Sequence, residues 1–261
     1  MRCLVYVDAS SRGEWAIGLG AQLAPQLDTV VLLATAEDAL RTPLLLKAAA
    51  ARFSAAPRVE ERQAPGPAEQ AILREAAAGS YDLVIVPPAG RNALARMLKG
   101  SRVATVVRSV HAAVLVARRP PARVAKILVA VSGGPGSAAV VRAGLEMERA
   151  FSARAEFLHV ASEVTLPFEP SGGGPPMAPE DPAALARAAV RSEGRELLER
   201  EGLVVEELLA EVENGAHDLL VAGASNDAST GGWAKDDVTE RILLRCPSSM
   251  LIVRSASGRA R

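Results

Sequence analysis

Hydrophobic residues along this chain gather in short runs, and longer stretches with apolar positions at helical spacing lie between them. The runs at residues 3–7, 29–33 and 83–86 are rich in β-branched residues and nearly continuous, which is typical of parallel strands buried on both faces. The stretches at 13–23 and 68–78 have the spacing of amphipathic helices. This alternation predicts an α/β fold with a doubly wound parallel sheet and right-handed crossovers.

Two segments of the same half fit the pattern less well. The stretch 39–53 has helical spacing, but Pro43 predicts that the helix begins late. The run at 59–62 is polar, which favours a strand at or near the edge of the sheet.

The order of runs then repeats once. A new strand-like run begins at Lys126, and the second copy ends in the apolar run 250–253 as the first ends in 114–116. A proline pair follows the last strand of the first copy and interrupts ladder pairing there. We therefore predict two tandem domains of one fold and a linker, at residues 1–119, 125–261 and 120–124 respectively.

The second copy differs in its middle. Helical spacing continues from 183 to 200, and the segment between Gly202 and Asp218 is too short for a strand, a turn and a helix. We expect the third strand of this copy to be lost or shortened. Prolines and glycines at 165–182 predict a long exposed loop, for which a lid and a disordered insertion are both open.

Composition excludes several classes of function. Among 261 residues, 30 basic side chains balance 30 acidic ones, so there is no electrostatic footprint for nucleic acid or for an anionic membrane. No segment has the roughly 18 consecutive apolar residues of a membrane span. Cys3 and Cys246 have no His or Cys neighbour at metal-ligand spacing, which favours buried structural thiols. We expect a soluble cytoplasmic protein.

Candidate binding loops follow from the fold class. Doubly wound sheets bind ligands at the carboxyl ends of their strands, where the strand order reverses. In the first copy these ends carry residues 8–10, Thr35 and residues 87–90, and Gly100 with Ser101 stands at the start of the last helix. Glycine there lets the backbone approach a phosphate closely, and serine adds a hydroxyl donor.

The spacing Pro87-x2-Gly90-x9-Gly100-Ser101 resembles the glycine signature of the universal stress protein family, G-x2-G-x9-G-[S/T], with proline in place of the first glycine. The resemblance covers nearly the whole chain as two tandem copies. In nucleotide-binding members, it implies that the aspartate of the first loop holds the ribose or adenine side. The residue after the second strand then lines the base, and the glycine loop cradles the phosphates.

This resemblance carries a nucleotide site over to the first copy, with ATP or another adenine nucleotide as ligand and magnesium beside it. Asp8 matches the first-loop aspartate, Thr35 stands where an apolar residue is usual, and Pro87 removes one backbone donor. Whether nucleotide is bound stays open at this point. The candidate nucleotide-binding residues are Asp8, Ala9, Ser10, Thr35, Gly90, Arg91, Gly100, Ser101 and Arg102.

The second copy departs further from the signature. It reads Gly223-x2-Asn226-x9-Asp236-Asp237, and Ser132 stands where the first-loop aspartate would be. A carboxylate about 5 Å from a phosphate charge repels it by about 3 kcal/mol at an effective dielectric constant near 20. We therefore expect the second copy to reject triphosphates, with its aspartates capping a helix N-terminus.

The last strand of each copy, residues 113–117 and 249–253, would leave an apolar sheet edge unpaired. Universal stress proteins pair subunits through this strand, so the resemblance implies that the two copies form an internal pseudo-dimer. Further homo-oligomerisation is open.

Rival motifs overlap in the glycine-rich run 132–137. Its letters SGGPGS resemble the SGGxDS loop of pyrophosphatase-type adenylating enzymes, although Gly136 stands where that loop has aspartate. The spacing Gly134-x-Gly136-x-x-Ala139, with Glu163 after the next strand, is that of a short dinucleotide fingerprint. A tight turn between strand and helix accounts for the same glycines.

The three histidines, His111, His159 and His217, have no Ser or Cys partner that the sequence can place beside them. We predict packing or surface roles for them, no catalytic residue and no metal site. Three functions stay open: a nucleotide-binding stress-response protein, a scaffold with both sites degenerate, and an adenylating or ATP-hydrolysing enzyme.

Overall fold

The computed structural model describes residues 1–36, 40–88, 102–162, 181–224 and 238–254. The elements of the first half are β1 (Arg2–Tyr6), α1 (Ser11–Leu23), β2 (Thr29–Thr35), α2 (Arg41–Ala51), β3 (Arg58–Ala64), α3 (Ala68–Ala78), β4 (Leu83–Val86), α4 (Arg102–Ser109) and β5 (Ala113–Val116), with a short 3-10 helix at Ala24–Gln26. Those of the second half are β6 (Lys126–Ala130), α5 (Ser137–Phe151), β7 (Arg154–Ala161), α6 (Pro182–Arg191), β8 (Leu197–Glu201), α7 (Val204–Asn214), β9 (Leu219–Ala224), α8 (Val238–Arg245) and β10 (Ser249–Arg254).

All the strands belong to one sheet in the order β3-β2-β1-β4-β5-β10-β9-β6-β7-β8. Strands within each half are parallel, and the halves join through an antiparallel pair in which Leu251 of β10 lies opposite Leu115 of β5. The predicted doubly wound α/β fold and the internal pseudo-dimer are confirmed.

Each face of this sheet carries one apolar core that runs through both halves. One core includes Leu115 of β5 and Ile127 of β6, and the other includes Val114 of β5 and Leu220 of β9. Strand β4 is buried at every position, as expected for a strand covered on both faces. The two halves therefore share their hydrophobic cores.

The two outermost strands, β3 and β8, are rich in charged residues. Their sequences are RVEERQA and LLERE, and every residue in them is at least partly exposed. The edge position predicted for residues 59–62 is confirmed. Charged side chains on an edge strand discourage pairing with another chain.

The helix predicted over residues 183–200 is too long, and the third strand of this copy is not lost but is shortened, to 5 residues against 7 in β3. Helix α6 ends at Arg191, Gly194 takes a φ of +68°, and residues 197–201 form β8. The segment LLERE has no strong strand propensity, and parallel pairing with β7 decides its conformation. Because this strand comes earlier than predicted, the room after Gly202 suffices for α7.

Two local predictions agree with the structure. Helix α2 begins at Arg41, which places Pro43 in its first turn, where proline is tolerated. Both cysteines are buried and unpaired, and burial raises the pKa of the Cys3 and Cys246 thiols. Neither thiol is therefore set up as a nucleophile.

The halves are also joined by Arg118, directly after β5. Its guanidinium donates hydrogen bonds to the carbonyl oxygens of Leu243 and Cys246 at the end of α8, and its backbone N–H donates to Ser249 Oγ at 3.0 Å. A cation at a helix C-terminus is favoured by the helix dipole. Among the helices in the described ranges, none combines the length and apolar character that crossing a membrane requires.

Candidate functional site

The carboxyl ends of β1 and β4 lie side by side at one edge of the first half. The chain runs from β1 outward through β2 to β3 and then returns to β4 on the other side of β1, so the strand order reverses between β1 and β4. Doubly wound proteins bind their ligands at such a reversal. The loop after β1 and the first residues after β4 flank this point.

The loop after β1 fixes Asp8 against the first turn of α1. Asp8 Oδ1 accepts hydrogen bonds from the backbone N–H of Ser10 at 2.8 Å and from the Ser10 hydroxyl. The Ser10 hydroxyl accepts one from the backbone N–H of Gly13 at 3.1 Å, which makes Ser10 the N-cap. Ala9 and Ser10 are exposed and Asp8 is half-buried. The helix N-terminus thus already faces a carboxylate of its own chain.

Gly13 makes this close approach feasible. A Cβ at that position would lie 2.2 Å from the carbonyl oxygen of Asp8 and 2.5 Å from its Oδ1. A side chain there would push the Asp8 loop away from α1. No sequence pattern marks Gly13, because its constraint comes from a neighbour five positions earlier.

Thr35 lies at the carboxyl end of β2 and is 8% exposed. Its Oγ1 lies 3.2 Å from the phenol oxygen of Tyr6, the last residue of β1, and its carbonyl oxygen accepts a hydrogen bond from Thr42 Oγ1 at 3.5 Å. The Thr35 hydroxyl is therefore engaged by a buried tyrosine that the sequence analysis missed. Alternation of strand positions places Tyr6 among core residues and gives no sign of this polar pair.

For the rest of the predicted nucleotide loop, the structure describes only the residues on either side. Gly90, Arg91, Gly100 and Ser101 lie outside the described residues. Arg102 begins α4, and its side chain is likewise outside the description. The described chain therefore shows that the loop starts beside the Asp8 loop, after β4, and ends at α4.

The equivalent edge of the second half is built differently. Ser132 is exposed, and its hydroxyl accepts a hydrogen bond from the Gly134 backbone N–H at 3.3 Å. Gly133 has a φ of +79° and packs on the backbone of Pro182 at the start of α6, so that a Cβ there would lie 2.0 Å from the Pro182 carbonyl oxygen. Four residues of the second signature and the rival motif lie outside the described residues: Asn226, Asp236, Asp237 and Glu163.

The histidines occupy three different environments. His111 is exposed, while His159 is buried with Nδ1 2.8 Å from the Val131 carbonyl oxygen. His217 is buried and contacts Glu156 and the backbone of Glu211. Packing accounts for His159, as predicted, whereas the contacts of His217 with two glutamates were not expected.

Both halves of the chain match one known protein family. The model of the universal stress protein family matches residues 4–118 and again residues 124–254. The chain belongs to the universal stress protein family. It contains two copies of the family's unit, in agreement with the tandem arrangement of the strands.

Solved structures of two other proteins share this universal stress protein's fold over almost its full length. The universal stress protein from Archaeoglobus fulgidus DSM 4304 has a TM-score of 0.71 at 13% identity, covering 97% of this chain and 98% of that one. A functionally unknown protein, PA1789, from Pseudomonas aeruginosa PAO1 has a TM-score of 0.71 at 16% identity, covering 97% and 92%. Such low identities establish the shared fold alone.

A universal stress protein solved in complex with cAMP is similar to a smaller part of this one. It covers 44% of this chain and 93% of its own, with a TM-score of 0.40 and 24% identity, too partial a likeness to bear on the ligand here. A comparison with curated proteins gave no match.

Proposed function

We propose that this universal stress protein acts in a stress response by binding an adenine nucleotide at the carboxyl edge of its first half. The observation that carries the proposal is the Asp8 loop, which holds a carboxylate at the reversal of strand order beside the start of the glycine-signature loop. Family membership gives the chemistry expected of such a site.

The hydrogen bonds of Asp8 indicate which of its oxygens would contact the nucleotide. Its Oδ1 is occupied by Ser10, whereas its Oδ2 accepts no hydrogen bond from the described residues. A ribose hydroxyl or an adenine amino group is a donor that fits this oxygen. Because the N-terminus of α1 already faces this carboxylate, the phosphates would lie instead at Gly90, Gly100 and Ser101.

The second half supports the fold and, in this proposal, takes no triphosphate. Its first loop offers the Ser132 hydroxyl in place of a carboxylate, and Gly133 is packed against the start of α6. Two aspartates replace the phosphate-binding glycine and serine of the signature. The expected stoichiometry is therefore one nucleotide per chain.

A scaffold without nucleotide is the second candidate. The engagement of Thr35 by Tyr6 and the presence of Pro87 in the signature favour it, since each removes a donor that a nucleotide could use. An adenylating or ATP-hydrolysing enzyme is a third outcome, which release of pyrophosphate or phosphate from ATP would reveal.

Replacing Asp8 with asparagine is expected to weaken nucleotide binding by about tenfold or more, since a hydrogen bond to a charged group contributes about 1.5–3 kcal/mol. Calorimetric titration with ATP and AMP, with and without magnesium, measures the affinity and stoichiometry. Asp28→Asn is the matched control, because Asp28 is 84% exposed and precedes β2, at the opposite edge of the sheet.

Two outcomes would contradict the proposal. Wild-type protein that shows no binding at millimolar ATP or AMP leaves the scaffold function in its place. Equal loss of affinity in the Asp8 and Asp28 variants would mean that the nucleotide is bound elsewhere.

A further inference from the structure

A histidine and two glutamates lie together in the second half, between the sheet and α7. Glu156 belongs to β7, Glu211 to α7, and His217 precedes β9. Each offers one ligand atom, and these atoms all lie within 4.8 Å of one another. We call this group the Glu156–Glu211–His217 cluster.

The fold brings these residues together from distant parts of the chain. Positions 156, 158 and 160 of β7 face the same side of the sheet, because side chains alternate along a strand. Leu158 and Val160 pack in the same core as Leu208 of α7, so Glu156 also faces α7. No local spacing in the sequence predicts this contact.

The orientation of the His217 ring is defined by its two neighbours. Its side chain is fully buried, and Nδ1 lies 3.0 Å from the carbonyl oxygen of Glu211. A carbonyl only accepts, so Nδ1 carries the hydrogen and donates it. In a neutral imidazole the lone pair is then on Nε2, which lies 3.2 Å from Glu156 Oε2.

A lone pair on Nε2 that faces a carboxylate oxygen at this distance is favourable only if a proton or a metal ion lies between the two atoms. Metal-binding histidines commonly donate their other ring N–H to a backbone carbonyl, as His217 does. Two ligands each about 2.0–2.1 Å from zinc at the tetrahedral angle are about 3.3 Å apart, close to the separation found here.

We propose that Glu156, Glu211 and His217 bind a divalent transition-metal ion of the zinc type. One imidazole and two carboxylates suit zinc or cobalt better than magnesium or calcium, which prefer oxygen ligands alone. The ion would connect β7, α7 and the chain entering β9. This site is separate from the proposed nucleotide site, and the metal-binding proposal does not depend on nucleotide binding.

Positively charged side chains near the cluster limit the metal affinity that we expect. Arg154 Nε lies 3.4 Å from Glu156 Oε1, and Arg200 Nη2 lies 3.5 Å from Glu211 Oε2. Glu156 thus meets arginine through one oxygen and His217 through the other. Lys126 Nζ, which donates to the Gly215 carbonyl oxygen at 3.0 Å, adds a further positive charge close by. Because these cations oppose a metal ion, we expect micromolar rather than nanomolar binding.

Titration of the full chain, free of any histidine tag and stripped of metal with a chelator, tests the proposal. We expect one zinc ion per chain with micromolar affinity, and a rise in melting temperature that EDTA reverses. Cobalt should give the visible absorption bands of a four- or five-coordinate ion. Zinc binding weaker than about 1 mM would overturn the proposal and assign the contact to a hydrogen bond between the His217 ring and the Glu156 carboxyl group.

Charge-neutralising variants locate the ion. Glu156→Gln and Glu211→Gln keep the shape of the side chains and should each weaken zinc binding by about tenfold or more. Glu213→Gln is the matched control, since Glu213 is an exposed carboxylate on the same helix outside the cluster, and its affinity should stay within about twofold of wild type. Affinity unchanged in both cluster variants, with their folding confirmed by circular dichroism, would show that zinc binds elsewhere.

Discussion

Replacing Gly133 with alanine is expected to lower the free energy of unfolding by about 3 kcal/mol or more. Two costs add at this position. A φ of +79° is strained for any residue with a Cβ, by about 1–2 kcal/mol. The new Cβ would also lie 2.0 Å from the Pro182 carbonyl oxygen and 2.5 Å from its carbon, and backbone atoms cannot swing aside as a side-chain tip can. Urea unfolding followed by circular dichroism measures the loss.

Gly194→Ala separates these two costs. Gly194 has a similar φ of +68°, and nothing lies within 4 Å of the Cβ that alanine would add. The control should lose only the conformational cost, about 1–2 kcal/mol. Equal losses of unfolding free energy in the two variants would mean that α6 shifts to accommodate the new Cβ and that the contact with Pro182 does not constrain Gly133.

Replacing Leu115 with aspartate should lower the free energy of unfolding by about 4 kcal/mol or more, because it buries a carboxylate without a partner. Leu115 is 0% exposed and lies opposite Leu251 in the antiparallel pair that joins the halves. Since both cores run through this junction, we expect wild-type protein to unfold in one transition and the variant to lose stability in both halves.

Leu198→Asp is the matched control for the junction. Leu198 is also a strand leucine, but it is 40% exposed and lies on the edge strand β8. The same substitution there should cost less than about 1 kcal/mol, because the carboxylate stays in water. A similar loss at both sites, measured by urea unfolding, would contradict the closed core described at the junction.

The fold could be predicted because its strands are covered on both faces. Continuous apolar runs such as those at 29–33 and 83–86 leave few alternatives to a buried parallel strand, and their repetition in the second copy predicted two units of one fold. The pseudo-dimer was implied by the resemblance to universal stress proteins. The charged strand β8 carries no such signal. Its conformation is decided by pairing with β7, a contact that lies outside any local window.

In the candidate sites, too, local features could be predicted from the sequence and contacts between distant segments could not. Ser10 caps the N-terminus of α1, a role that serine favours and that needs only local contacts. Contacts between distant segments could not be predicted: Tyr6 with Thr35 across two strands, and Glu156 with His217 across three elements. The roles of Gly90, Gly100 and Ser101 stay predictions.

The strand ends form two opposite edges of the sheet, which we call rims. The antiparallel junction makes these two rims different. Because β5 and β10 run in opposite directions, the carboxyl ends of the first half and the amino ends of the second half lie along one rim. This rim carries both the Asp8 loop and His217, about four strand spacings or roughly 19 Å apart. The Ser132 loop lies on the other rim, so a macromolecule resting on the first rim would contact the Asp8 loop and the segment that leads into β9 without touching the Ser132 loop.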